Sequence, residues 1–348
     1  MADGSLVFCY GCVEPGHYDS PEAKLAAERA SQPHTEFVGK VVTNPDANNP
    51  FLAEAGRYEL VVAAGCPFAS RAWATACALG LDQEAIRIVR CWPANGENGF
   101  FFSPSMEEEQ AFVDKRIAGV EWEEAGPSVG PEGGGPVKNV KELYLRCNAG
   151  FNGSFAVPLL YDTKHHTIVN NSSIDISIML ATEFQAFAKN PLPPLIPATS
   201  TVEAAVALLQ DVHARINIGV YKLNFEQDQA AYEAKAVQWF QHLDSFEAKL
   251  GTQRFLMGDT VSVPDFALAA TLVRLPLVYA PRFRANLKAF NATNYPNLVR
   301  YLRDLVAEVP GYRRCVDYRG ILTTYHFSTP INKRAGKTVP LVPLDLVI

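Results

Sequence analysis

Tyr58-Glu59-Leu60-Val61-Val62-Ala63-Ala64-Gly65-Cys66-Pro67-Phe68-Ala69-Ser70-Arg71-Ala72-Trp73-Ala74-Thr75-Ala76-Cys77-Ala78-Leu79 reads as a buried strand that passes straight into a helix. The run up to Ala64 is apolar and of strand length, and Gly65 ends it. Beyond it Ala69, Ala72, Trp73, Ala76 and Leu79 recur at helical spacing. Pro67 suits the first helical turn and Gly80 the residue just past the end. Cys66 therefore falls at the junction, where its sulfur lies near unpaired backbone N–H groups and the positive end of the helix dipole. That setting lowers a thiol pKa and lets thiolate accumulate, which makes Cys66 a candidate nucleophile. The plainer alternative is a small buried filler, the usual fate of a free cysteine.

Downstream, Ile86-Arg87-Ile88-Val89 supplies a second strand, and strand–helix–strand with a short return implies a right-handed parallel unit. Residues 93–140 are rich in Gly, Pro and Glu, including Gly130-Pro131-Glu132-Gly133-Gly134-Gly135-Pro136, and read as an insertion over the surface. A short helical stretch near Lys141–Cys147 follows. Val157-Pro158-Leu159-Leu160-Tyr161 and Thr167-Ile168-Val169 then form a hairpin around Asp162–His166, and Ser172 or Ser173 caps the next helix. Upstream, residues 1–56 read as an extended arm wrapping a folded body, and 57–190 as an α/β domain.

Past residue 195 the pattern is helical. Tyr232, Ala236, Trp239, Phe240, Leu243, Phe246 and Leu250 mark a long amphipathic helix that stops at Gly251. Ser262-Val263-Pro264-Asp265 is a capping box opening a second helix, with Val261 and Phe266 placed as a hydrophobic staple. A third runs from Tyr295 to Val309. We expect an all-helical domain over 195–310 and a tail, 311–348, that folds back over the site.

The 348 residues allow two domains. With 48% hydrophobic residues, 20% charged and a formal net charge of −6, the chain reads as globular, with neither nucleic acid nor membrane as partner. No apolar run approaches a bilayer span, and MADGSLVFCYG lacks the features of a signal peptide, so a cytoplasmic location is expected. Seven cysteines at scattered spacings suit reduced thiols. Cys9-Tyr10-Gly11-Cys12 lacks a second pair for zinc, and His165-His166 falls in a hairpin turn, so no metal is expected. Nothing has the pattern of a phosphate-cradling loop.

Cys66-Pro67-Phe68-Ala69, Glu97-Asn98-Gly99-Phe100, Ile168-Val169-Asn170-Asn171-Ser172-Ser173, Gly219-Val220-Tyr221-Lys222, Pro276-Leu277-Val278-Tyr279, Tyr295-Pro296-Asn297-Leu298 and Tyr325 together resemble, in order, the glutathionyl-hydroquinone reductases, the xi class of glutathione transferases. The resemblance covers about residues 57–340. It implies a thioredoxin-like N-terminal domain, an all-helical C-terminal domain, a homodimer and glutathione or a related low-molecular-weight thiol as co-substrate. It implies that Cys66 attacks the sulfur of an S-glutathionyl hydroquinone and that Tyr221, Tyr279 and Tyr325 surround the aromatic group. Phe68, Phe100, Val157, Pro158, Ser172 and Ser173 fall where the family binds its thiol, with Val157-Pro158 at the place of a cis-proline.

Three positions depart from that pattern. Ser172 stands where the family has the glutamate that precedes serine, Phe100 where it has tryptophan, and Ser154 where it has arginine. Losing one charge-assisted bond weakens binding by roughly 1.5–3 kcal/mol. Arg71 or Trp92 is a candidate substitute. The leading expectation is thus a thiol-dependent reductase or transferase whose cysteine nucleophile cleaves S-thiolated aromatic or hydroquinone conjugates via a mixed disulfide. The alternatives are a relative using another thiol for isomerisation, dehalogenation or thioether cleavage, and a non-catalytic binding module.

Overall fold

The computed structural model of the protein describes residues 37–44, 48–96, 98–102 and 130–328. The Cys9–Cys12 pair, Glu97, most of the N-terminal arm, residues 103–129 and the tail past Ser328 lie outside them. Strand β1 (Tyr58–Val62) is buried at every residue and leads into helix α1 (Pro67–Leu79), which Gly80 ends in the left-handed region at φ 69°. Strand β2 (Ile86–Arg90) then pairs parallel to β1, with Tyr58 opposite Ile86 and Val62 opposite Arg90.

Strands β3 (Trp92–Gly96) and β4 (Gly99–Phe101) form a separate antiparallel hairpin. The stretch read as a surface insertion therefore begins and ends inside the fold: Phe100, Phe102, Val137 and Val140 are buried. Its Pro and Gly content masked the strands. Gly99 is required there, since at φ 73° a Cβ would lie 2.6 Å from the Phe155 carbonyl oxygen.

Helix α2 (Val140–Cys147) returns the chain to strands β5 (Leu159–Asp162) and β6 (Thr167–Asn170). The main sheet has the order β2-β1-β5-β6, with β5 antiparallel to both neighbours. Helix α3 (Ser173–Thr182) follows β6. A parallel βαβ unit followed by an antiparallel hairpin and a helix is the thioredoxin-like arrangement. The free edge of β6 is covered by residues 38–41: Gly39 N–H donates to the Val169 carbonyl at 2.8 Å, and Val38 bridges Asn170.

The remaining elements are helical: α4 (Val202–Val212), α5 (Ile218–Phe225), α6 (Gln229–Leu250), α7 (Val263–Arg274), α8 (Pro296–Glu308) and α9 (Tyr318–Thr323). Single π-helical turns interrupt them at His213–Asn217, Leu275–Tyr279 and Thr324–Ser328. The run Val263–Phe283 corrects one sequence expectation. At 21 residues and mean hydropathy 1.4 it is long and apolar enough to cross a bilayer, and it is instead packed inside the protein.

The start of α7 is fixed as its sequence predicts. Asp265 Oδ2 accepts from Ser262 N–H at 2.7 Å and Ser262 Oγ at 2.5 Å, and Oδ1 accepts from Leu256 N–H at 2.8 Å. Burial nonetheless raises the carboxyl to about 6. Its proton is thus held more tightly in the folded than in the unfolded chain, so this group's contribution to stability falls as pH rises from about 4 to 6. Asp265→Ala would leave three buried donors without an acceptor, and should lower the urea-unfolding free energy by about 3 kcal/mol.

Candidate active site

Cys66 is the N-cap of α1, held in extended conformation (φ −81°, ψ 113°), so its sulfur sits over the first turn. Sγ accepts from Ala69 N–H at 3.4 Å and donates to the Val157 carbonyl at 3.2 Å. The Val157–Pro158 bond is cis. The sulfur is therefore gripped between a helix N-terminus and the loop entering β5, and Cys66 remains partly exposed.

The loop before Cys66 is tied to the helical half by Arg274, at the end of α7. Its Nη2 donates to the Ala64 carbonyl at 2.5 Å and to Ser70 Oγ at 2.7 Å, Nε to the Gly65 carbonyl at 3.3 Å, and Nη1 to the Ala270 carbonyl at 2.7 Å. The same loop meets the C-terminal segment. A Cβ on Gly65 would lie 2.4 Å from the Thr324 side chain, so only glycine permits this approach. Thr324 Oγ1 donates to the Pro93 carbonyl at 3.2 Å, and Arg90 pairs with Asp317 at 2.5 Å.

That segment delivers Tyr325. Its hydroxyl hydrogen-bonds that of Tyr221 in α5. The Tyr279 ring stands edge-on to both, 5.8 Å from Tyr221 and 6.1 Å from Tyr325 between centroids, and Phe283 packs against all three. The Tyr279 hydroxyl is buried without a well-formed hydrogen bond. Burial raises all three phenols above the ordinary tyrosine range, so each is a neutral O–H donor at physiological pH. Tyr279 and Tyr325 each sit in a π-helical turn, a distortion frequent at functional sites. Phe68, two residues past Cys66, links the halves: its ring stacks on Tyr221 at 6.1 Å and meets His213 edge-on at 5.3 Å.

The structure thus brings Cys66, Phe68, Val157, Pro158, Tyr221, Tyr279 and Tyr325 into one region. Ser172 is the N-cap of α3, its Oγ accepting from Asp175 N–H at 3.3 Å, and Ser173 is the first residue of that helix. Phe100 is buried in β4. Of the two candidate substitutes for the missing contacts, Arg71 is fully buried and Trp92 nearly so, and both have nitrogens without partners. Sequence reasoning did not single out Arg274 or His213. An arginine in the middle of the largely apolar Val263–Phe283 run was the available signal for the first; the second carried none.

The helical half, residues 229–304, matches the family model described as the glutathione S-transferase C-terminal domain. The chain is 30% identical over 285 residues to glutathionyl-hydroquinone reductase YqjG of Escherichia coli, covering 81% of this chain and 78% of that protein. The xi-class glutathione transferase from Natrialba magadii superposes with a TM-score of 0.74 at 30% identity, covering 90% of this chain and 88% of that one. The glutathione-bound structure of YqjG gives 0.73 at 29% identity, covering 89% and 94%. With its thioredoxin-like sheet and helical second half, the chain belongs to the glutathionyl-hydroquinone reductases, the xi class of the glutathione transferases.

Proposed function

We propose that the protein is a thiol-dependent reductase that cleaves S-glutathionyl conjugates of hydroquinones through a mixed disulfide on Cys66. The observation that carries this reading is the convergence of a helix-start sulfur and three buried, neutral tyrosines on the two sides of Phe68. Two of the relatives add support: YqjG has been solved with glutathione bound, and both it and PcpF of Sphingobium chlorophenolicum are glutathionyl-hydroquinone reductases by name.

The atoms balance in two steps. Cys66 thiolate attacks the substrate sulfur, a sulfur–sulfur bond forms, and the carbon–sulfur bond breaks. The electron pair stays with the ring, which takes up a proton and leaves as hydroquinone. A second glutathione, as thiolate, then attacks the glutathionyl sulfur, leaves as glutathione disulfide and restores Cys66. Neutral phenols suit the first step. A hydroxyl of Tyr279 or Tyr325 donating to a ring oxygen polarises the ring and eases its departure from sulfur. The family resemblance carries with it a homodimer.

Cys66→Ala should lower turnover by several orders of magnitude while leaving the circular-dichroism spectrum unchanged. Full activity in that variant would remove the nucleophile from this account. Replacing Tyr279 and Tyr325 together by Phe should reduce kcat with little change in melting temperature; turnover at the parent rate would return both residues to packing.

A second reading concerns the thiol. Ser172 offers a neutral cap where the family offers a carboxylate, and Ser154 offers no positive charge, so the site favours a thiol with fewer or differently placed charges. γ-Glutamylcysteine, a polyamine-conjugated glutathione and a histidine-derived thiol all qualify. Under this reading Ser172→Glu tightens glutathione binding about ten-fold in calorimetric titration, the size of one charge-assisted bond. Low-micromolar binding by the unmodified protein would show that other residues have replaced the lost grip.

A further inference from the structure

Arg71 lies in α1 little more than one turn beyond Cys66, and its side chain is fully buried. Nη2 is 2.9 Å from Nδ1 of His213, and the guanidinium carbon is 5.2 Å from the centroid of the Phe68 ring. Nε and Nη1 have no hydrogen-bond partner. Burial pulls the guanidinium down to about 10, which still leaves it charged at physiological pH. His213 does not share that charge: burial and the adjacent Arg71 push its imidazole to about 3, so it is neutral and accepts at Nδ1.

A cation buried without an anion is costly. Among the described residues no carboxylate pairs with Arg71; its guanidinium lies over the ring of Phe68, two residues past Cys66 on the helix that Cys66 caps, and a negative charge on Cys66 favours its protonated form. We infer that Arg71, oriented by His213 and Phe68, is a positioning residue whose fixed positive charge holds Cys66 as thiolate. Of the other titratable neighbours of the sulfur, Cys91 just past β2 and the phenols of Tyr279 and Tyr325 are kept neutral by burial. The Arg274 guanidinium bonds the Ala64, Gly65 and Ala270 carbonyls and Ser70, and adds a constant field that substitution of Arg71 leaves in place.

The inference rests on Cys66 being the nucleophile, and the experiment separates the two claims because it reads the thiolate without turnover. Alkylation of Cys66 by iodoacetamide is followed across pH on the peptide that carries it, in the full-length protein and in Arg71→Met. The parent should show a midpoint well below that of a free cysteine; an ordinary midpoint would contradict the activated nucleophile itself. Arg71→Met should melt at or above the parent temperature, since an unpaired buried charge gives way to an apolar side chain. Its alkylation midpoint should rise by at least about one pH unit, as loss of a nearby opposite charge requires. A depressed parent midpoint left unmoved in a folded Arg71→Met would overturn the role of Arg71. His213→Asp tests the charge with the arginine in place. A carboxylate against Nη2 should neutralise the field and raise the midpoint likewise, and an unmoved midpoint would overturn the proposal even if Arg71→Met did not fold.

Discussion

The guanidinium of Arg274 joins the two halves of the protein at the one loop where position matters most. It reaches from the last turn of α7 to the Ala64 and Gly65 carbonyls, immediately before the candidate nucleophile. Those carbonyls would otherwise be buried without donors, since β1 has ended and α1 has not begun. The clamp therefore sets where α1 starts and with it where the sulfur of Cys66 lies. The π-helical turn that follows Arg274 ends at Tyr279, so one continuous run of backbone fixes both the Cys66 loop and a tyrosine facing it. Gly65 and Thr324 extend the same logic to the C-terminal segment, whose close approach carries Tyr325 to Tyr221.

Much of this arrangement is legible in the sequence because local chemistry and global fold agree. The 58–79 stretch shows its strand and helix by periodicity, and Gly80 and Pro67 punctuate it where the structure does. The Ser262–Asp265 cap is similarly plain, because three donors converging on one carboxylate need those residue types at that spacing. The β3–β4 hairpin is not legible: Pro93, Gly96 and Gly99 are turn formers by habit, and only the buried aromatic Phe100 and its neighbours reveal a core. Nor does spacing show that Tyr221, Tyr279 and Tyr325 meet, since they come from three elements far apart in the chain. The family resemblance grouped them, and the helix packing supplies the reason.

The site itself divides by polarity. On the sulfur side, the Ala69 N–H at a helix N-terminus and a buried arginine favour negative charge, while the Val157 carbonyl accepts from the thiol form. On the other, Tyr221, Tyr279, Phe283 and Tyr325 form an aromatic wall whose hydroxyls are neutral donors. The proposed substrate, a conjugate that joins a thiol to a phenolic ring, would meet both halves at once.

A covalent intermediate at one sulfur is the centre of the proposed mechanism, and a single-turnover reaction reads it directly. The enzyme is mixed with an equal amount of S-glutathionyl hydroquinone, no free thiol is added, and the products are resolved by mass spectrometry. One hydroquinone should be released per protein, with one glutathionyl group left on the peptide bearing Cys66 and removed by a later addition of glutathione. Hydroquinone release with Cys66 unmodified, or an adduct confined to another cysteine, would contradict the mechanism.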